Sequence, residues 1–285
     1  MFSFKLADFH PINHIPAYVE EGILNGELQF HIHDFTELVL FKAGTGIHLI
    51  NDTQVPVRAG DVFAFKGEDG HGITQAKNLW ICNIMFDHKK FLSWAADLKT
   101  LPGFQRLFVI APHYRNQKKD CGNLRLNVRQ SSWAYDLIQK MLYEYKKKKS
   151  GYLTALSSLF MLLVVGLSRM EWNSDRIDPV GIISIAAAVA HLEKNYLNPL
   201  VIKELAAIAG MSERHFFRLF SSIYGQPPLE YIIGLRIREA CRLLADRHVG
   251  ITETAYKCGF SDSNYFSRKF KQATGLSPRQ YRGTV

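Results

Sequence analysis

The chain has 285 residues and a formal net charge of +9, with 47% apolar and 21% charged side chains and no low-complexity stretch. That composition excludes disorder as the governing state, and the length suffices for two domains that each bury a core. The four cysteines, Cys82, Cys121, Cys241 and Cys258, form no CxxC pair and no metal-type spacing, which argues against a disulfide framework.

From about Phe30 to Phe86 the chain shows short β-type runs, ELVLF, GIHLIND, VPVR, DVFAF and LWICNIMF, separated by turn residues. This predicts a small all-β sandwich or barrel. Residues 87–128 carry no clear period and are punctuated by Leu101 to Gly103. The period then becomes helical: Trp133, Leu137, Met141 and Tyr145 lie four apart, and the pattern continues from Tyr152 to Met170. Two antiparallel helices joined around Ser150 and Gly151 are expected. Lys146 to Lys149 reads as a solvated helix end, where cations suit the dipole. Leu159, Met161, Leu162, Val164 and Val165 look exposed, and they suit packing on the sheet or a homodimer contact equally. The longest apolar stretch, Leu153 to Leu167, is short and holds two serines, and the N-terminus lacks a signal-peptide pattern. A soluble, cytoplasmic protein is expected. The polar stretch EWNSDRIDP, from Glu171 to Pro179, ends this half. It predicts a domain over 1–170, a linker over 171–180 and a second domain over 181–285.

The second domain reads as helix throughout and contains an internal repeat. Its first copy carries Ile202, Leu205, Ala206, Gly210, Ser212, Phe216, Arg218, Phe220, Gly225, Pro228 and Tyr231. The second carries Ile251, Ala255, Gly259, Ser261, Phe266, Arg268, Phe270, Gly275, Pro278 and Tyr281. The offset is 49 residues up to the serines and 50 from the phenylalanines onward, which places one extra residue at the start of the second copy's second helix. Alanine lets a second helix pass closely, glycine ends the first helix in a left-handed conformation, and Ser212 and Ser261 (or Asp262) cap the next. Short helix, glycine turn and capped helix make a helix-turn-helix, whose second helix enters the DNA major groove.

With the phenylalanines facing the core, the opposite faces present Glu213, Arg214, Phe217 and Arg218 in the first unit. The second presents Asp262, Ser263, Asn264, Ser267 and Arg268. Arginine suits bidentate contact with guanine and asparagine with adenine, and either also binds phosphate. One helix from about Leu229 to Asp246, packed through Leu229, Ile232, Ile233, Leu235, Ile237, Ala240, Leu243 and Leu244, separates the units. Its length of ~27 Å approaches the ~34 Å of one DNA turn, so the two recognition helices reach successive grooves. Residues 180–285 hold 14 Lys and Arg against 8 Asp and Glu, a charge of +6, while the rest holds 21 against 18, or +3. The positive excess marks the same region.

These hundred residues, above all GFSDSNYFSRKFKQATGLSPRQYR from Gly259 to Arg282, closely resemble the DNA-binding domain of the AraC/XylS family of transcription regulators. The resemblance implies base-reading positions at Arg214, Phe217 and Arg218 and at Asn264, Ser267 and Arg268. Phe217 departs from the usual polar reader and suits a thymine methyl or packing. It also implies contact of Glu253 and Asp262 with the sigma subunit of RNA polymerase. HDFTELVLFKAGTGIHLIND and GFSDSNYF are most similar to the L-rhamnose catabolism regulators within the family, which implies a sugar-like effector.

In the first domain, His31-x-His33-x3-Glu37-x6-Gly44, followed by Gly60-Asp61 and His71, resembles the two motifs of a cupin barrel. Lys66 and Glu68 depart from the proline and glycine of the second motif. Three imidazoles and a carboxylate at His31, His33, Glu37 and His71 suit either a divalent metal or a polar effector pocket. The expected architecture is therefore α+β in two domains: an N-terminal cupin-like β-barrel with a helical pair, and a C-terminal all-α domain with two helix-turn-helix units. The expected function is a non-enzymatic, DNA-binding activator that dimerises, binds a sugar-like effector and requires no cofactor. The alternative is a metal-dependent cupin enzyme with an accessory DNA-binding domain.

Overall fold

The computed structural model describes residues 2–6, 17–51, 53–66, 70–88, 90–91, 96–116, 123–170, 182–245 and 249–283. The linker expected over 171–180 lies outside them, as do Cys121, Glu68 and Asp246. The chain divides into two units, residues 1–183 and 184–285.

The first unit is built on a seven-stranded sheet. β1 (Phe2–Phe4) pairs parallel with β2 (Tyr18–His33), which lies antiparallel to β6 (His71–Phe86). β6 in turn pairs with β3 (Thr36–Ile50), which also pairs with β4 (Thr53–Arg58) and β5 (Asp61–Phe65), and β7 (Leu124–Arg125) joins β5. ELVLF and GIHLI, read as separate runs, form one strand of 15 residues. Its register against β6 shifts between Phe41 and Ile47, and a Cβ on Gly44 (φ +80°) would stand 2.1 Å from the Asn78 carbonyl oxygen. A bulge of this kind bends a strand and reverses the parity of its inward residues. Glu37, Val39 and Phe41 face inward before it, His48 and Ile50 after it.

The sheet carries two apolar faces. Val39, Phe41, Ile50, Val57, Phe63, Phe65, Ile73 and Leu79 pack with one another on the inner face. Val19, Leu38, Leu40, Val62, Ala64, Cys82 and Ile84 form the outer one, covered by helices. The stretch without a readable period supplies α1 (Pro102–Gln105) and α2 (Ala111–Asn116), joined through a wider helical turn at Arg106–Ile110. Then come the expected pair, α3 (Val128–Lys147) and α4 (Tyr152–Arg169). Asn127 and Gln130 start α3 with a reciprocal capping box, and left-handed Lys148 ends it. Trp133, early in α3, lies against Gly166, late in α4, so the two run antiparallel.

Packing on the sheet corrects the outer face expected of α4. Val164 is fully buried, Leu159, Met161 and Val165 are half-buried, and of the five only Leu162 is exposed, at 51%. Length and composition would let α4 cross a membrane, yet Leu156, Phe160, Leu163, Val164 and Leu167 are spent on this core.

The second unit is helical: α5 (Ile182–Asn195), α6 (Ile202–Ile208), α7 (Glu213–Tyr224), α8 (Pro228–Leu244), α9 (Ile251–Lys257), α10 (Ser263–Thr274) and α11 (Pro278–Arg282). The copies pack alike. Phe216 and Phe220 are 5.8 Å apart between ring centroids and Phe266 and Phe270 5.6 Å, while Tyr231 and Tyr281 each meet the later phenylalanine edge-on at 5.4 Å. All four phenylalanines are fully buried. Leu229, expected in the core, is 56% exposed because Pro228 takes the buried place in the first turn of α8.

Candidate nucleic-acid interface and buried polar site

The helix-turn-helix units are set by their turns. Gly210 (φ +61°) and Gly259 (φ +80°) end α6 and α9 in the left-handed region. Ser212 then accepts a hydrogen bond from the His215 amide at 3.3 Å, and Asp262 from the Tyr265 amide at 2.5 Å. The cap of the second copy is therefore Asp262, and the extra residue sits in the turn, before the helix rather than at its start. α7 and α10 are both 12 residues long, so Arg214 corresponds to Asn264, Phe217 to Ser267 and Arg218 to Arg268.

Arg214, Phe217, Arg218, Asn264 and Arg268 are exposed, and Ser263 and Ser267 are half-buried. Phe217 is 47% exposed and lies between Arg214 and Arg218 in α7. The Ser267 hydroxyl donates to the Ser263 carbonyl at 2.9 Å, which leaves its oxygen as an acceptor. Arg268 lies over the Tyr265 ring at 5.4 Å, an arrangement that steadies the guanidinium while its edge stays open. Exposed Glu253 pairs with Lys257 at 2.8 Å and with Gly250 completes the cap of α9, and exposed Asp262 is itself a cap. Lys269 reaches Glu230 at 2.8 Å, tying α10 to α8.

Inside the sheet of the first unit the predicted residues come together. His31, Glu37 and His71 are buried, with one ligand atom of each within 4.8 Å of the others. His33 stands slightly apart, its Nε2 3.7 Å from Glu37 Oε2, whereas His71 Nε2 is 3.1 Å from the same oxygen. His31 Nδ1 and His33 Nδ1 donate to the carbonyls of Gln29 (2.9 Å) and Phe35 (2.8 Å), so both turn an Nε2 lone pair toward the site. A fifth group, His48, was not singled out by the motif; it is buried and its Nε2 lies 3.2 Å from His71 Nδ1. His33 Nε2, Glu37 Oε2 and His71 Nε2 are buried without an aligned hydrogen-bond partner among the described residues. Converging orphan atoms of this kind fit a divalent cation or a polar ligand.

Burial pushes the His33 imidazole down to about 4, and burial, then the neighbouring His71, lowers His31. Burial alone would raise the Glu37 carboxyl, but His71, His33 and His31 outweigh it and hold it below the ordinary value. Lowered His31 and His33 imidazoles beside a lowered Glu37 carboxyl favour the neutral-ring, ionised-carboxylate forms that bind a ligand. His88, outside the cluster, is also brought to about 4, by burial and then by Lys66 and Lys99. A histidine depressed in the folded state contributes stability that is complete above the unfolded pKa and is lost as pH falls through the folded one. With folded values near 4 for His33 and His88, the thermal midpoint of the first unit should fall by several degrees from pH 7 to 4, mostly below about 6.5. A midpoint flat across that window in a calorimetric pH series would contradict the two environments.

Residues 19–164 match the family described as AraC-like ligand binding domain, and residues 205–284 match a helix-turn-helix domain family. Among curated relatives, the HTH-type transcriptional activator RhaS of Enterobacter sp. (strain 638) is 26% identical over 281 residues, covering 96% of this chain and 95% of its own. The HTH-type transcriptional activator RhaR of the same strain is 29% identical over 264 residues, covering 88% and 86%. Of solved structures, the DNA-binding domain of AdpA in complex with a target DNA is 34% identical with a TM-score of 0.34, covering 35% of this chain and 91% of that one. An AraC-type regulator from Chromobacterium violaceum is 31% identical with a TM-score of 0.33, covering 35% and 90%. The curated relatives are named as transcriptional activators, not as enzymes.

Proposed function

The chain belongs to the AraC family of DNA-binding transcription regulators, and from that premise we propose that it is a cytoplasmic, sugar-responsive activator that reads a bipartite operator with α7 and α10. The observation that carries this reading is the pair of equivalent exposed faces, Arg214 with Arg218 and Asn264 with Arg268, on two capped helices of one repeat. α8, 17 residues or about 26 Å long, separates them by a span suited to successive major grooves. The domains run over 1–170 and 181–285, with 171–180 as linker. The exposed acids Glu253 and Asp262 would meet the sigma subunit of RNA polymerase while capping their helices. A homodimer would double the operator contacts.

The effector occupies the buried polar site at His31, His33, Glu37 and His71. A ligand with higher affinity for the operator-engaged state shifts the population toward it, and the ratio of its affinities sets the limit of the response. Promoter DNA titrated with the full chain, with and without L-rhamnose and related sugars, tests this. At least a tenfold rise in operator affinity with one of them is expected, and indifference to all would overturn the effector reading.

The close approach of His31, Glu37 and His71 supports a second reading of the same site. These groups, with His33, would hold a divalent cation whose positive charge would polarise effector hydroxyls. Elemental analysis after purification without added metal, together with melting in EDTA, separates the two: about one equivalent of metal and a lowered midpoint in chelator belong to the metal-bound form.

A further inference from the structure

We infer that Glu20 and Asn83 form a second station of the effector site, and that the site selects neutral, polyhydroxylated ligands over acids and phosphates. This inference rests on the effector reading above and deepens it.

Glu20, Asn83 and Val39 are cross-strand partners on β2, β6 and β3, so they share one face of the sheet. Val39 belongs to the inner cluster, whereas the neighbours Val19, Cys82, Ile84, Leu38 and Leu40 belong to the outer core. Glu20 and Asn83 therefore point inward, as does Glu37, two residues before Val39 on the same strand. The Asn83 side chain hydrogen-bonds Glu20, and Tyr18 hydrogen-bonds the same carboxylate. The other end of the amide, Asn83 Oδ1, is buried with no hydrogen-bond partner among the described residues. Leaving such an acceptor unpaired is costly, and a ligand donor recovers that cost.

The polarity of the lining then names the ligand class. Asn83 Oδ1, the Glu20 and Glu37 carboxylates, and the Nε2 lone pairs of His31 and His33 are all acceptors, because each Nδ1–H is already given to a backbone carbonyl. A hydroxyl brings a donor to each of them, while a carboxylate or phosphate brings more acceptors and negative charge. The charges that act on Glu20 and Glu37 reinforce this. Burial, then Glu37, raises the Glu20 pKa, so the interior already resists one further negative charge.

Isothermal titration of the full chain tests the inference, with L-rhamnose, L-arabinose and D-galactose as neutral probes and D-galacturonate and D-galactose 1-phosphate as charged ones. At least one neutral sugar should bind, both charged probes should bind at least tenfold more weakly than it, and Glu20→Gln and Asn83→Ala should each weaken it at least tenfold. Tighter binding of the acid or the phosphate overturns the inference, and because this comparison uses the unaltered chain it does not depend on the variants folding. Neutral binding that is unchanged in variants with native melting midpoints also overturns it, while leaving the effector reading intact. Absence of binding by every probe overturns the sugar-effector reading and this inference with it.

Discussion

Gly259→Ala is expected to destabilise the second unit by roughly 2–5 kcal/mol, whereas Gly210→Ala, at the same position of the first copy, should cost only about 1–2 kcal/mol. Both glycines have positive φ, so a Cβ brings the same left-handed strain to each. They differ in what stands next to them. Among the described residues a Cβ on Gly210 meets nothing within 4 Å, but on Gly259 it would lie 2.3 Å from the Leu197 carbonyl oxygen and 3.1 Å from the Arg236 guanidinium carbon. Backbone cannot yield as a flexible side chain does. The loop after α5 would have to move, and Arg236 holds that loop through the carbonyls of Tyr196 (2.7 Å) and Asn198 (2.9 Å). Against a typical domain stability of ~5–15 kcal/mol, the larger figure is a substantial fraction. Urea unfolding of the full chain, followed through the helical signal, measures both variants; equal losses would show that the Leu197 contact carries no weight.

Arg268→Ala should cost roughly 1–3 kcal/mol in operator binding, a loss of about 5- to 150-fold. The guanidinium is exposed on α10, one turn after Asn264, and is steadied by Tyr265. Arg218 holds the equivalent place on α7 and is also exposed. The two lie on different recognition helices with no shared partner among the described residues, so Arg218→Ala combined with Arg268→Ala should lose roughly the sum, about 2–6 kcal/mol. Anisotropy titrations at one fixed salt concentration, on operator and on unrelated DNA, distinguish the roles. Base reading predicts a loss on the operator that exceeds the loss on unrelated DNA, whereas phosphate contact alone predicts equal losses. An unchanged operator affinity would remove Arg268 from the interface.

The helix-turn-helix units were legible because every element of the repeat is local. Gly210 and Gly259 mark turns, Phe216, Phe220, Phe266 and Phe270 mark one helical face, and Pro228 and Pro278 mark helix starts, all within a few residues of what they control. Even there, choosing between Ser261 and Asp262 as the cap required the turn geometry, since either side chain has the chemistry. The motif also brought His31, His33, Glu37 and His71 to one site, because cross-strand spacing carries them to neighbouring strands.

What escaped were features that depend on partners distant in the chain. His48 has the wrong parity relative to Glu37 to share its face in a regular strand, and only the bulge near Gly44 turns it inward. Glu20 and Asn83 become one station only through pairing of strands 63 residues apart. Leu162 and Val164 are both apolar residues of α4, yet one is exposed and the other buried, because the way α4 packs on α3 and the sheet selects its inner face.

The amino-acid sequence by itself determined the two-part architecture, the repeated DNA-reading units and the chemistry available to each. Periodicity, caps and turn residues act over one or two helical turns and need no distant partner. Only the tertiary structure decided which polar groups share the interior of the sheet, which apolar face remains open, and why one glycine of a repeated pair tolerates far less than the other. Those outcomes follow from register shifts and from backbone approaches such as Leu197 to Gly259, which local pattern does not encode.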